Sequence, residues 1–502
     1  MAKPKTGATL YEVLGIPSTA SDVEIRRAYR NLATRQHPDK GGDPEQFKLL
    51  RSAYDVLSSP DKREQYDKTG KVTRSVEEDF MEAFGGGNFQ DKPFKPEELA
   101  DQITVRQGPK FDSHSAGFEA WMRTRGDAGA TVFTAESMAE QFGVVKGSYD
   151  AVALPKIKAF KVRCTGTGKA REVLELVSEA LPPALEWGQV LVSMRAAPIN
   201  PADVYTAQMG GTYGFEQVAA PFAAGSSGVG VVVKVGAGVT GLKENDWVIP
   251  FKTHLGTWQS LAVWKETDLF SIPTDAMPVE YSAVLRELCL AYRLLEDHAK
   301  LKPGDCVILN AANSTVGQAV IQLCALLRLR CVAVVRDHGD PDKMQAWLKD
   351  LGASEVVCDA GSIKAELNKL KFFAKPKLGL DAIGGSSAVR LSDALAEGGQ
   401  LVIYGSMSGK APAWPWQSWV FRDLQVKGYN LSTWLTKNRK KIRPMVEALA
   451  KLVNAGKLTV AYTEYELATE FEEALDHALD HGKNTKVLLR MNDLGRQYDN
   501  EQ

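Results

Sequence analysis

The chain has 502 residues, and its 61 lysines and arginines nearly balance 62 aspartates and glutamates, so its charge favours neither nucleic acid nor a membrane surface as a partner. At about 100–200 residues per domain, this length predicts about three domains. No apolar run approaches the roughly 20 residues that a membrane-spanning helix needs.

The first predicted elements are two helices near the N-terminus. The first helix is predicted over residues 20–36, where Ser21 and Glu24 have the spacing of a capping box. The second helix is predicted to start with Asp43 as its cap and Pro44 at its first helical position. Apolar residues at helical spacing give each helix one inner face: Ile25, Tyr29, Leu32 and Ala33 in the first, and Phe47, Leu50, Tyr54 and Leu57 in the second. The sequence therefore predicts an all-α hairpin of two antiparallel helices.

The loop between these helices carries His37, Pro38 and Asp39, and Pro38 forces the chain out of the first helix. With the flanking stretches LYEVLGI and REQYDKTG, the segment 8–70 resembles the J-domain of DnaJ-type co-chaperones. The resemblance implies that the tripeptide docks on a seventy-kilodalton heat-shock chaperone and stimulates its ATPase, helped by the basic helix face of Arg26, Arg27 and Arg30. The alternative is a plain helical hairpin with solvated arginines.

Residues 71–154 are rich in glycine, proline and charge, and their apolar periodicity is sparse. This composition predicts a linker with two short helices, near 118–122 and 136–142. No zinc-knuckle cysteines follow, so we do not expect a full DnaJ architecture.

The rest of the chain changes texture twice. Short β-rich runs separated by glycine and proline fill residues 155–272, strands and helices alternate after Pro278, and β character returns in KLTVAYTEYEL and KVLLRM. Strand–helix alternation predicts a doubly wound parallel sheet. This α/β organisation is typical of medium-chain dehydrogenase/reductases. It implies a GroES-like catalytic domain at 155–283 completed by 430–492, a Rossmann domain at 284–429 and a tail at 493–502.

The stretch LNAANSTVGQAVIQLC, residues 309–324, reads as a strand, a tight turn and a helix. A dinucleotide site usually has three glycines here, but this turn offers Ala312, Ser314 and only Gly317. Gly317 suits close helix–strand packing, and the other two are small enough for a diphosphate to approach. Backbone N–H groups at the helix start supply the anion site whatever the side chains are. Alone, the pattern fits an ordinary strand–turn–helix equally well.

The end of the next strand, CVAVVRDHGD, favours a particular coenzyme. An acid about 20 residues after the turn usually binds a free ribose hydroxyl, and this chain has Arg336 there. Since a guanidinium suits a phosphate, the sequence predicts NADPH rather than NADH. The alternative is a surface arginine at a strand end.

The pattern of metal-binding residue types argues against zinc. The six cysteines are scattered without a CxxC pair, which fits a reducing compartment, and none lies between Cys164 and Cys289. His254 is alone in its half of the body, so we expect no metal site. Hydride addition to an activated double bond, with a protein proton donor, is then the natural chemistry.

Six stretches together resemble mitochondrial trans-2-enoyl-CoA reductases across 155–492: AAPINPADVYTAQMGGTYG, DWVIPF with LGTWQSLAV, NAANSTVGQAVIQL, VVRDH, YGSMSGK and FRDLQVKGYNLSTW. The resemblance implies NADPH contacts in five places. These are Asn313, Ser314, Thr315, Val316 and Gly317 in the turn; Arg336, Asp337 and His338; Tyr404, Gly405, Ser406 and Met407; Tyr429, Asn430, Leu431 and Ser432; and Lys486.

In that family a tyrosine shortly after INPxD donates the proton, which implies Tyr213 as the general acid. Two extra residues before it make Tyr205 a rival donor, and simple aromatic packing is the alternative role for Tyr213. Glu287 stands where the family has asparagine, and GSSG at 225–228 replaces GNEG. A negative Glu287 near the nicotinamide amide would reposition the coenzyme.

The resemblance implies NADPH-dependent reduction of an enoyl thioester, delivered as enoyl-CoA or on an acyl carrier protein, by a chain that is typically a dimer. Two other functions stay open: a zinc-free quinone oxidoreductase, and a co-chaperone whose reductase body has decayed into a binding module. The resemblance also implies a mitochondrial location. The opening residues before Thr9 are too few for a transit peptide, which favours the cytosol otherwise.

Overall fold

A computed structural model describes residues 9–36, 44–69, 80–81, 84, 151–212, 216–273, 276–337, 340–370, 374–480 and 484–491. The chain divides into two compact units, residues 1–80 and 81–502. None of the helices described is long and apolar enough to cross a membrane. The two helices predicted in the connector lie outside the described residues.

The first unit is helical. Its helices are α1 (Leu10–Leu14), α2 (Asp22–Gln36), α3 (Pro44–Leu57) and α4 (Pro60–Thr69). Helix α1 begins at Thr9 with a capping box to Glu12 and ends at Gly15, whose φ of 66° is left-handed. The predicted inner faces of α2 and α3 are confirmed, because Ile25, Leu50 and Leu57 are buried in one core.

The first half of the second unit consists mainly of antiparallel strands. Its elements are β1 (Val152–Ala153), β2 (Lys158–Cys164), α5 (Ala170–Val173), β3 (Leu174–Ala180), β4 (Ala184–Leu185), β5 (Gln189–Pro198), α6 (Pro201–Met209), β6 (Gly211–Thr212), β7 (Glu216–Gln217), β8 (Phe222–Ala223), β9 (Val229–Val235), β10 (Trp247–Pro250), β11 (Leu261–Lys265) and β12 (Leu269–Ile272). Strand β5 is central, because β9 and β11 both pair with it. Residues on both faces of β5 are buried.

Helices and parallel strands alternate in the second half. The elements are α7 (Val279–Ala283), α8 (Leu285–Glu296), β13 (Cys306–Leu309), α9 (Thr315–Leu326), β14 (Arg330–Val335), α10 (Pro341–Asp350), β15 (Glu355–Cys358), α11 (Ile363–Lys369), β16 (Leu378–Asp381), α12 (Gly385–Asp393), β17 (Gln400–Ile403), α13 (Trp416–Arg422), β18 (Gln425–Gly428), α14 (Leu431–Lys437) and α15 (Arg439–Asn454). Every residue of β13 is buried, as expected for a parallel strand covered on both faces.

The six parallel strands have the order β15-β14-β13-β16-β17-β18. The chain starts in the middle, builds outward to one side and then to the other, so the order reverses between β13 and β16. Ligands of such sheets bind in the crevice at the carboxyl ends of the strands, at this switch point. The predicted Rossmann sheet is therefore confirmed, and its switch point lies beside the turn at 310–314.

The chain then returns to the antiparallel sheet. The last elements are β19 (Tyr462–Glu466), α16 (Leu467–Leu479) and β20 (Lys486–Arg490). Strand β20 pairs antiparallel with β5, with Leu488 opposite Pro198. This pairing places Lys486 next to the end of β5, where helix α6 begins. The sheet membership follows the predicted C-terminal return, while the exact domain limits stay predictions.

Candidate functional site

The turn after β13 is built for close packing. A Cβ atom at Gly317 would lie 2.4 Å from the carbonyl oxygen of Ala312, so only glycine lets helix α9 approach the turn. Ser314 is the N-cap of α9, and its Oγ accepts a hydrogen bond from the N–H of Gly317 at 3.2 Å. The N–H groups of Thr315 and Val316 lie in the first turn of the helix, where backbone N–H groups have no acceptor within the helix. This end of the helix is suited to an anion.

Buried hydrogen bonds of Asn310 connect the turn to the neighbouring strand. Asn310 is fully buried, and its Nδ2 donates to Oδ1 of Asp381 at 2.5 Å and to Oγ of Ser387 at 3.0 Å. The N–H of Ala382 donates to Asn310 Oδ1 at 2.8 Å. Burial raises the pKa of Asp381, and the hydrogen bond from Asn310 opposes this rise. These hydrogen bonds hold the ends of β13 and β16 together at the switch point.

A cleft of about 720 Å³ opens at this point between the antiparallel sheet and the parallel sheet. Of the residues implied as coenzyme or proton-donor sites, the cleft brings together those from five separate stretches of the chain. They are Tyr205, Asn313, Ser314, Thr315, Arg336, Met407 and Lys486. The lining also includes apolar side chains, which can exclude water from a reacting centre.

Other implied contacts do not line this cleft. Val316 and Gly317 lie within the first turn of α9, and Asp337 is exposed beside Arg336. His338 lies outside the described residues. Tyr404, Gly405 and Ser406 follow β17. Burial raises the pKa of the Tyr404 hydroxyl, which has no hydrogen-bond partner in the part of the chain that the structure describes.

The group at 429–432 also contacts other parts of the body. The Tyr429 hydroxyl donates to Asp297 Oδ2 at 3.2 Å, and Asn430 caps α14 by accepting from the N–H of Thr433 at 2.9 Å. Leu431 is buried, and Ser432 Oγ accepts from the guanidinium of Arg286 at 2.8 Å. Their implied coenzyme contacts stay predictions.

Of the two tyrosines predicted as proton donors, the structure describes only Tyr205. Tyr213 lies outside the described residues. The Tyr205 hydroxyl donates to the carbonyl oxygen of Met407. Burial raises the pKa of Tyr205, and the nearby charge of Arg336 lowers it. Tyr205 therefore occupies the cleft as a protonated phenol.

Lys486 lines the cleft and belongs to a buried hydrogen-bond network. Its Nζ donates to the Ile199 carbonyl at 3.3 Å and to Oδ1 of Asn200. Asn200 Nδ2 in turn donates to Oε1 of Glu287 at 2.8 Å. Burial lowers the pKa of Lys486, whereas the charges of Glu287 and Asp203 raise it. Burial also raises the pKa of Asp203 to about 6.

This network changes the interpretation of Glu287. The side chain is only 9 % exposed and accepts a hydrogen bond from Asn200, and it is not among the residues that line the cleft. The structure links Glu287 to the cleft through Asn200 and Lys486, and its predicted position near the nicotinamide amide stays a prediction. Sequence reasoning missed the part that Asn200 and Asp203 take in this network, although INPAD has the spacing of a helix N-cap and its N3 residue.

Among the residues that the structure describes, no group of three or more histidines, cysteines, aspartates or glutamates is arranged to hold a metal ion. His254 has a left-handed φ of 57°, and its N–H donates to Ser226 Oγ at 3.1 Å. All six cysteines are free thiols.

Three protein families match this chain. Residues 9–67 match the DnaJ domain, residues 186–274 match the alcohol dehydrogenase GroES-like domain, and residues 315–452 match the family described as zinc-binding dehydrogenase. The resemblance of the helical unit to J-domains and that of the body to medium-chain dehydrogenase/reductases are thereby confirmed.

Individual relatives match the body. The mitochondrial enoyl-[acyl-carrier-protein] reductase of Homo sapiens is 38 % identical over 353 residues, which cover 70 % of this chain and 93 % of that protein. The protein of the same name from Dictyostelium discoideum is 38 % identical over 332 residues, covering 65 % of this chain and 93 % of its own length.

Solved structures give the same picture. The mitochondrial 2-enoyl thioester reductase Etr1p/Etr2p heterodimer from Candida tropicalis matches with a TM-score of 0.58 and 26 % identity, covering 66 % of this chain and all of that one. A complex of Etr1p with NADP and crotonyl-CoA matches with a TM-score of 0.58, 25 % identity and the same coverage. A quinone oxidoreductase from Pseudomonas syringae has a TM-score of 0.57 and 24 % identity over 66 % of this chain and 99 % of its own, which shows the shared fold alone.

Proposed function

Because the chain belongs to the family of mitochondrial enoyl-[acyl-carrier-protein] reductases, we propose that its body reduces trans-2-enoyl thioesters with NADPH. The observation that carries this proposal is the cleft at the switch point. Its lining joins the N-terminus of helix α9 to Arg336, Lys486 and a tyrosine. The relative solved with NADP and crotonyl-CoA supports the same coenzyme and substrate class here.

The residues around the turn fit a phosphorylated dinucleotide. The N–H groups that open helix α9 would bind the diphosphate, because unpaired amides and the helix dipole attract anions. Arg336 would bind the phosphate that distinguishes NADPH from NADH. Asn313, Met407 and Lys486 would orient the rest of the coenzyme. When bound, NADPH supplies the hydride that the β-carbon of the enoyl thioester receives.

The protein must then supply a proton and stabilise negative charge. Charge develops on the thioester oxygen, which hydrogen-bond donors must stabilise. We propose that Tyr213 gives its proton to the α-carbon as the general acid. Tyr205 is the rival donor, because its phenol is protonated and lines the cleft. Its bond to Met407 favours a positioning role for Tyr205.

The direct test is NADPH oxidation by the purified full chain with crotonyl-CoA, with a medium-chain enoyl-CoA and with an enoyl group on an acyl carrier protein. Turnover of any enoyl thioester that exceeds turnover of a quinone supports the proposal. Preferential turnover of a quinone would assign the chain to the quinone oxidoreductases instead. Coenzyme binding without turnover of any substrate would identify a decayed reductase body that serves as a binding module.

The helical unit is proposed to dock on a seventy-kilodalton heat-shock chaperone. Its match to the DnaJ domain supports this role. Arg26 and Arg27 are exposed on α2, where they can steer an acidic partner surface. The implied tripeptide His37, Pro38 and Asp39 lies outside the described residues, as does the side chain of Arg30.

The body is also proposed to form a homodimer through α13 and β18. Trp416, Val420 and Phe421 on α13 are 63 %, 66 % and 76 % exposed, which is unusual for a cluster of large apolar side chains. Strand β18 stands at the end of the parallel sheet, with only β17 beside it among the described strands. An edge strand next to an apolar helix can be covered by the same surface of a second copy. The relative from Candida tropicalis is named a heterodimer, which supports association of this fold.

We place the protein in mitochondria, since the relatives at 38 % identity are mitochondrial enzymes by name. Import and fractionation of the tagged full-length protein test this location. Exclusive recovery in the cytosol would contradict it.

A further inference from the structure

The ammonium of Lys486 is held at the cleft wall by two acceptors. It donates to the carbonyl oxygen of Ile199 and to Oδ1 of Asn200. An ammonium has three N–H donors, so a third remains for a ligand in the cleft that Lys486 lines. The direction of this third donor depends on Asn200 presenting its oxygen, and not its amide nitrogen, to the lysine.

Glu287 and the ammonium of Lys486 together specify which way the Asn200 amide faces. A carboxylate can only accept hydrogen bonds, and Glu287 Oε1 lies 2.8 Å from Asn200 Nδ2. A reversed amide would place its oxygen against the carboxylate and its NH₂ group against the ammonium, so both contacts would become repulsive. Ser227 Oγ, the other acceptor at 3.3 Å, is a hydroxyl that could serve either orientation.

The charges of the network support the same arrangement. Glu287 is 9 % exposed, and within the described part of the chain its Oε2 has no hydrogen-bond partner. A carboxylate buried this deeply needs an opposite charge nearby. Arg286, the adjacent cation, also interacts electrostatically with Glu287, but its hydrogen bonds go to the carbonyl oxygens of Pro250 and Phe251 and to Ser432 Oγ. Lys486 is therefore the cation that shares the Asn200 bridge with Glu287.

We propose that Glu287 is a positioning residue that acts through Asn200 to hold Lys486 as a charged donor facing the bound coenzyme. This inference rests on the proposed use of NADPH. It assigns a role in coenzyme binding to Glu287, a residue that does not itself line the cleft. The carboxylates that face Lys486 are Glu287 on α8 and Asp203 on α6, and both favour its charged form.

The test is titration of NADPH into the full chain, with coenzyme fluorescence as the readout. The Kd of NADPH is measured at a series of pH values from neutral to alkaline. Glu287→Gln keeps the size of the side chain but removes its charge, and its amide no longer dictates the Asn200 orientation. We expect about tenfold weaker binding, the size of one charge-assisted hydrogen bond. The alkaline loss of affinity should also move to lower pH, because Lys486 loses the carboxylate that raises its pKa.

A second background separates positioning from simple stability. In a Lys486→Met protein, Glu287→Gln should cause no further loss of NADPH affinity, because the residue through which Glu287 acts is gone. Glu280→Gln is the matched control, since it removes another partly buried carboxylate, paired with Arg490 on β20 outside the cleft lining. It should leave affinity and pH dependence as in the wild type.

Unchanged affinity and an unchanged alkaline limb in Glu287→Gln would overturn the positioning role and leave the proposed function standing. An equal loss in the Lys486→Met background would overturn it too. Wild-type protein that binds no NADPH would instead overturn the proposed function. If thermal melting shows that Glu287→Gln does not fold, Asn200→Ala takes its place: affinity lost only when Lys486 is present supports the proposal, and unaltered affinity refutes it.

Discussion

The hydroxyl of Tyr205 donates a hydrogen bond to the main-chain carbonyl oxygen of Met407, 202 positions further along the chain. Tyr205 stands on helix α6, which follows the central antiparallel strand, and Met407 follows strand β17 of the parallel sheet. Both residues line the cleft. The bond therefore connects the two sheets at the place where the substrate and coenzyme are proposed to meet.

This bond leads to different expectations for the two tyrosines. Tyr205→Phe removes one hydrogen bond, worth about 0.5–1.5 kcal/mol, and should raise the Kd of NADPH several-fold with a smaller effect on kcat. Tyr213→Phe removes the proposed general acid and should lower kcat about 100-fold or more without changing that Kd. Steady-state kinetics with crotonyl-CoA and fluorescence titration of NADPH measure both. If only Tyr205→Phe abolishes turnover, Tyr205 is the proton donor.

Arg336 is expected to set the preference for the phosphorylated coenzyme. Arg336→Ala should weaken NADPH binding by about 10- to 100-fold, the cost of a hydrogen bond to a charged group, and leave NADH binding unchanged. Lys349→Ala, which removes another cation near the far end of α10, should alter neither constant. An Arg336→Ala protein with the original ratio of the two affinities would show that the phosphate binds elsewhere.

Much of the fold could be predicted because its signals are local. Strand β13 is a short apolar run that is buried on both faces, and the apolar residues of α2 and α3 recur at helical spacing and form one core. The positions of Gly317 at the turn and of Arg336 after the next strand were also predictable, since the distance between turn and strand end is a property of one strand–helix–strand unit. Their coenzyme contacts stay predictions.

The polar interior of the site could not be predicted in this way. Asn310 and Asp381 are 71 positions apart, and Lys486 and Asn200 are 286 apart. Such pairs form only when the strand order is fixed, and no periodicity announces them. Glu287 shows the same difficulty: nothing in its local sequence predicts its hydrogen bond with Asn200, which is 87 positions away.

Gly317 should tolerate no larger side chain. In Gly317→Ala the new Cβ atom would lie within 2.7 Å of the carbonyl oxygens of Ala311 and Ala312, so helix α9 must move away from the turn. Such overpacking costs about 1–3 kcal/mol. We expect a lower melting temperature and weaker NADPH binding. Gly166→Ala is the control because nothing lies within 4 Å of the added Cβ atom there; equal melting temperatures for the two variants would argue against tight packing at the turn.

The helical unit should act without the reductase. His37→Gln should abolish stimulation of a seventy-kilodalton heat-shock chaperone ATPase, whereas turnover of crotonyl-CoA should be unchanged, since the two activities are assigned to separate compact units. Replacing the exposed Arg26 and Arg27 by alanine should reduce stimulation most at low salt, where steering is strongest. A rate of ATP hydrolysis that His37→Gln leaves intact would refute the co-chaperone role.

The exposed apolar face of α13 should hold two copies together. Phe421 is 76 % exposed, and a glutamate in its place would put two like charges into the proposed symmetric interface. Phe421→Glu should therefore convert a species of twice the chain mass into monomers, as analytical ultracentrifugation would show. Trp187→Glu is the matched control, because Trp187 is 58 % exposed but belongs to the antiparallel half; it should leave the dimer intact. A wild-type protein that sediments as a monomer at micromolar concentration would contradict the interface, and dissociation by Trp187→Glu alone would move it to the other half of the body.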